Sequence, residues 1–142
     1  MTERLPHDVP QPQPKILTLV EANARLPQVI QVVEHLRQLQ QALVDGQREH
    51  EELPIKLAGG NGHSQSSLKD QLITEVRAAL LKLDAFGALL KDPKAGLVDF
   101  YGQRAGELIL LCWRLGEEER IGFWHTLEGG FAGRQPVDSL IQ

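Results

Sequence analysis

The sequence predicts an α+β protein: a long antiparallel, coiled-coil-like helical hairpin packed on a small three-stranded antiparallel β-meander. Three observations carry this. Apolar residues recur at heptad spacing in two separate stretches. A proline- or glycine-rich segment bounds each stretch. The aromatics are skewed, with only Phe86 in the first two thirds and Phe100, Tyr101, Trp113, Phe123, Trp124 and Phe131 crowded after it.

The chain opens with Pro6, Pro10, Pro12 and Pro14 among polar residues. Such a composition favours extended conformations and cannot bury a core, so residues 1–15 are read as a disordered tail. Residues 16–142 form one domain, divided into a helical hairpin (18–92) and a meander with a C-terminal loop (96–142).

Thr18-Leu-Val-Glu21 has the form of a capping box, in which hydroxyl and carboxylate each accept from the other residue's amide. Pro27 lacks an amide hydrogen and disfavours helical geometry at Leu26. The expectation is a short first helix, a kink, and a long helix from Pro27 to about Glu52. In that helix Val29, Leu36 and Leu43, with Val32 and Leu39 between them, form a narrow apolar stripe.

Leu57-Ala-Gly-Gly-Asn-Gly-His63 is expected to be a flexible loop, since glycine is costly in a helix. Ser67-Leu-Lys-Asp70 then restarts a helix carrying Leu72, Val76, Ala79, Leu83, Phe86 and Leu90, widened by Ile73 and Leu80, and Asp92-Pro93 ends it. This second stripe is wider than one helix can cover. It predicts either a second cover from the C-terminal part or contact with another chain.

Beyond residue 96 the period changes to strand grammar. Leu97–Tyr101, Leu108–Leu115 and Ile121–Thr126 are short apolar runs separated by Gly102–Gly106 and Gly116–Glu119. Leu108–Trp113 is apolar at every position, as a central strand covered on both faces must be.

Composition narrows the function. At 142 residues and a net charge of −4, the chain lacks the basic balance of a nucleic-acid binder. It contains no apolar run of the roughly 20 residues a membrane helix needs. Its single cysteine excludes an internal disulfide framework and any multi-cysteine zinc site. A cytoplasmic location is the expectation, with no nucleic acid, no membrane and no cofactor.

Candidate chemistry gathers in the meander. His125 ends the third strand and can act as acid, base or ligand near neutral pH. Asp99 sits in the first strand. With both turns centred symmetrically, Asp99 faces Ile109 and His125 faces Leu111, which places both on one sheet face; a one-residue slip would part them. Arg134 follows in a glycine-rich loop, Gly129-Gly-Phe-Ala-Gly-Arg134, whose amides can cradle an anion. Arg104, Arg114 and Trp124 add further ligand-binding candidates. The bland reading of the same residues is structural: Asp99 pairs with Arg134 to hold the loop, and a backbone carbonyl satisfies His125.

Cys112, mid-strand among Leu110, Leu111 and Trp113, reads as an inert packing residue. His7, His35, His50 and His63 are scattered, so no metal site is expected. Glu117-Glu-Glu119 reads as a turn of solvated charges.

Several strings carry a resemblance to a known family: Leu17-Thr-Leu-Val-Glu-Ala-Asn-Ala-Arg-Leu-Pro27, Gly96-Leu-Val-Asp-Phe100, Leu111-Cys-Trp-Arg-Leu-Gly-Glu117, Phe123-Trp-His125 and Gly130-Phe-Ala-Gly-Arg-Gln-Pro136. In these the chain resembles the domain-of-unknown-function family 2203. The resemblance implies no activity, cofactor or catalytic residue. Two functions from different classes are therefore expected. The first is a protein-interaction or homo-oligomerising module built on the hairpin. The alternative is a protein or enzyme that binds a small anionic ligand around Asp99, His125 and Arg134.

Overall fold

The computed structural model describes residues 15–52 and 55–140, with side chains described outside 47–66. The proline-rich segment 1–14 lies outside the described residues. Helix α1 spans Leu19–Glu52 and α2 spans Ile55–Phe86. A five-stranded sheet follows: β1 Ala88–Asp92, β2 Leu97–Arg104, β3 Glu107–Arg114, β4 Phe123–Thr126 and β5 Gln135–Pro136. The order is β1-β2-β3-β4-β5, antiparallel throughout, so every strand pairs with its neighbours in sequence.

The capping box forms as the sequence predicts. Glu21 N donates to Thr18 Oγ1 at 3.1 Å, and Thr18 N donates to Glu21 Oε1 at 2.8 Å. The expected division into a short and a long helix does not occur, because α1 runs through Pro27 as one helix. Ala22 and Leu26 before the proline, and Val29, Ile30 and Val33 after it, all enter the same core cluster. Burying five side chains, at roughly 1.5–3 kcal/mol for each large one, exceeds the roughly 3 kcal/mol an interior proline costs.

The glycine segment is also corrected. The backbone from Ile55 onward is helical, so α2 includes Leu57–His63 instead of restarting at Ser67. Each glycine costs about 1 kcal/mol relative to alanine. Once a packed second half has nucleated the helix, extending it by further turns needs no new nucleus.

At the other end α2 stops at Phe86, and Leu90 lies in a strand, not in the helix. Gly87, with φ +80°, takes the left-handed conformation that closes helices, and its amide donates to Asp84 O at 2.9 Å. The released segment pairs with β2 as Ala88↔Phe100, Leu89↔Asp99 and Leu90↔Val98. The two-residue strand β5 is the other addition to the predicted three.

The predicted three-stranded meander is thus corrected to a five-stranded sheet, in which β2 is longer, β4 shorter and the β2–β3 turn tighter than expected. Ala105 and Gly106 alone connect β2 to β3, at φ 53° and 84°, the double left-handed geometry of a type I′ hairpin. One sheet face carries Ala88, Val98, Phe100, Ile109, Leu111, Trp113 and Trp124, and these join the α1 and α2 side chains in the core. A 2.7 Å hydrogen bond from Ile121 N to Asn23 Oδ1 ties the β3–β4 connection to α1. Among the described residues no helix is long and apolar enough to cross a membrane.

Candidate functional site

The opposite sheet face carries the unusual residues. Register places Asp99 directly across from Cys112, and His125 across from Leu110, one diagonal step from Cys112. The expected pairings, Asp99 with Ile109 and His125 with Leu111, are both displaced. The first hairpin is offset by three residues and the second by one. Two odd offsets cancel in parity, so Asp99 and His125 still share a face, and they share it with Cys112.

All three are buried: Asp99 is 2%, His125 3% and Cys112 0% exposed. Their donor atoms, a carboxylate oxygen, Sγ and an imidazole nitrogen, all lie within 4.8 Å of one another. His125 Nε2 stands 3.3 Å from Asp99 Oδ2. His125 Nδ1 lies 2.7 Å from the Thr126 carbonyl, which can only accept. A proton therefore sits on Nδ1, and in the neutral ring Nε2 presents its lone pair to the carboxylate. The other Asp99 oxygen, Oδ1, is buried with no hydrogen-bond partner. A buried, unpaired carboxylate oxygen is costly and rare in folded proteins.

Burial pushes the Cys112 thiol up to about 12, and the neighbouring Asp99 carboxylate acts in the same direction by charge and by hydrogen bonding. At that value about one thiol in 10⁵ is ionised at pH 7, so Cys112 by itself is no nucleophile.

Arg134 joins from the C-terminal segment, though not as a partner of Asp99. Its Nη1 and Nη2 reach the Glu117 carboxylate at 2.7 and 2.9 Å, a two-pronged ion pair. The guanidinium stacks over Phe123 and Phe131, with ring centroids at 4.0 and 4.5 Å. Burial works against its charge, but the Glu117 hydrogen bond and the interactions with Cys112 and the Glu117 charge together outweigh it and hold the guanidinium above its usual value.

Glu117 is thus no solvated turn charge. Its Oε1 accepts from Arg114 N at 3.0 Å as well as from Arg134. Arg104 and Trp124 belong elsewhere. Trp124 lies in the helix-facing core and donates from Nε1 to Ser139 Oγ at 2.8 Å, and Arg104 stacks over its ring at 5.3 Å.

Sequence reasoning missed Cys112 and Glu117. Asp99, Cys112 and His125 stand thirteen residues apart in each step. That even spacing is what successive strand-and-turn units of equal length would leave, a signal present in the sequence but far longer than any local ligand motif.

A family described as "Uncharacterized conserved protein (DUF2203)" matches residues 15–137, which includes all five of these side chains. No curated protein and no solved structure matches the chain.

Proposed function

The chain belongs to the DUF2203 family of uncharacterised conserved proteins, which assigns it no activity, and we propose from the site's own geometry that it is a binding protein with a buried cation-holding centre at Asp99, Cys112 and His125. One observation carries the reading. With Nδ1 committed to the Thr126 carbonyl, the Nε2 lone pair and the Asp99 carboxylate face each other at 3.3 Å in a dry site. Two acceptors hold that separation only with positive charge between them. A proton is the smallest such charge, and Cys112 beside the pair brings a third donor atom within 4.8 Å for a larger one. Arg134 offers little to an anion, because Glu117 already pairs with its charge.

Thermal unfolding of chelator-treated protein, with inorganic and organic cations added one at a time, tests this. Asp99→Asn is the informative variant, because its amide can donate to Nε2 and so removes the need for a cation. The expected result is a raised midpoint for wild type with at least one cation, and none for the variant. A panel without effect on wild type, or an equal rise in the variant, overturns the reading.

A second reading is self-association through the helical hairpin, with another copy of the chain as partner. Its support is Ile73 and Leu80, one heptad apart on α2, and Leu81 beside them, 37%, 43% and 67% exposed. Light scattering after size exclusion separates the cases. A dimer that Leu80→Glu dissolves supports it, and a wild-type monomer at high concentration overturns it.

A further inference from the structure

We infer that the cation of this centre is a thiophilic divalent metal ion of the zinc class, ligated by His125 Nε2, Asp99 and the thiolate of Cys112. The inference rests on the cation-holding reading and adds the identity of the occupant.

Four features of the site point there. First, the donor set is one nitrogen, one oxygen and one sulfur, all within 4.8 Å of one another. Zinc binds nitrogen and oxygen at about 2.0–2.2 Å and sulfur at about 2.3 Å, so tetrahedral ligand atoms lie about 3.3–3.7 Å apart. The Nε2–Oδ2 separation of 3.3 Å is already at that distance. Sulfur selects against magnesium and calcium, which prefer all-oxygen shells.

Second, the ligands are placed as metal ligands are. They project from β2, β3 and β4, three adjacent paired strands, and backbone hydrogen bonds fix their relative positions. The Thr126 carbonyl at 2.7 Å orients the imidazole and leaves Nε2 bare, as the outer-shell partners of ligating histidines do.

Third, Asp99 Oδ1 is a buried carboxylate oxygen without a partner. An ion bound by this carboxylate gives that orphaned oxygen a counter-charge at close range, where it has no hydrogen-bond partner among the described residues.

Fourth, the charges close. The Asp99 carboxylate and a Cys112 thiolate together balance a doubly charged ion, and the Arg134–Glu117 pair beside them is neutral as a unit. On binding, the Cys112 S–H bond breaks, its proton leaves to solvent, and a metal–sulfur bond forms in its place; no electron changes hands. A metal-bound thiol is deprotonated outright. Three protein donors fill three of the four tetrahedral positions.

Two measurements on the full-length chain test this. Protein expressed with zinc supplementation and purified without chelator should carry about one zinc per chain by elemental analysis, falling at least tenfold in Cys112→Ser and in His125→Ala. Chelator-treated protein titrated with cobalt(II) should develop a sulfur-to-cobalt charge-transfer band and intense tetrahedral visible bands at one equivalent, both displaced by zinc. The Cys112→Ser variant should lose the charge-transfer band. Circular dichroism of each variant separates loss of ligand from loss of fold. If a variant unfolds, X-ray absorption at the zinc edge of the wild type decides through its sulfur shell.

A wild type stabilised by potassium, magnesium or an amine, but giving no cobalt spectrum, overturns the metal assignment and leaves the cation centre standing. A cobalt spectrum without the sulfur band overturns the role of Cys112. No response to any cation overturns both.

Discussion

The Cys112 thiol makes the alkaline stability of the metal-free protein predictable. In the folded chain this thiol keeps its proton up to about 12, against 9.0 for an unburied cysteine. The folded state therefore binds the proton more tightly, and the associated stability is fully present below pH 9 and lost as pH rises from 9 towards 12. At 1.36 kcal/mol per unit, the loss is about 1 kcal/mol at pH 10 and about 3 kcal/mol at pH 11. The clean quantity is a difference between two variants. Urea unfolding of chelator-treated wild type and Cys112→Ala, followed by circular dichroism at pH 7, 8, 9, 10 and 11, gives it. At pH 7 the alanine variant should be the weaker by roughly 1 kcal/mol, from the lost sulfur contacts. The gap should close near pH 10 and reverse at pH 11. Parallel stability curves across the whole range would refute the assignment of a dry thiol beside a carboxylate.

Three further outcomes follow from the geometry. Gly96→Ala should cost more than about 2 kcal/mol by chemical denaturation, since φ is +68° and a Cβ there would lie 2.6 Å from the Leu115 Cβ. Asn23→Ala should cost about 1–3 kcal/mol by the same measurement, because the buried Ile121 amide loses its acceptor. Ala105→Asn should raise stability by about 0.5–1 kcal/mol in thermal unfolding, because Ala105 holds φ 53° in a turn that favours Asn-Gly.

How legible the sequence was depended on the range of the interaction that decides each feature. The Thr18–Glu21 box is settled within four residues and reads directly. The path of α1 through Pro27 is settled by burial against the sheet, and local breaker chemistry cannot see it. Leu90 continued the heptad count of α2 and masked the stop that Gly87 signals. Its strand needs β2 as a partner, and so does not show in its own five residues. In the site, strand alternation brought Asp99 and His125 onto one face, but register is a pairing property. It was the pairing Asp99↔Cys112 that turned a packing cysteine into a member of the cluster. Glu117 was hidden for the same reason, since Arg134, its partner, lies seventeen residues away.

The uncrossed strand order has a consequence for how the molecule assembles. Each of the five strands closes onto the one before it, so the sheet forms by a series of short loop closures, each with a small entropy cost. The bonds that bring in α1 span far more chain: Leu17 N to Tyr101 O, and Ile121 N to Asn23 Oδ1, ninety-eight residues apart. The buried centre therefore belongs to the part of the fold whose contacts are nearest in sequence. Refolding should place Asp99, Cys112 and His125 together while the helical hairpin is still docking, which makes the chemistry of the centre an early event in the life of each chain.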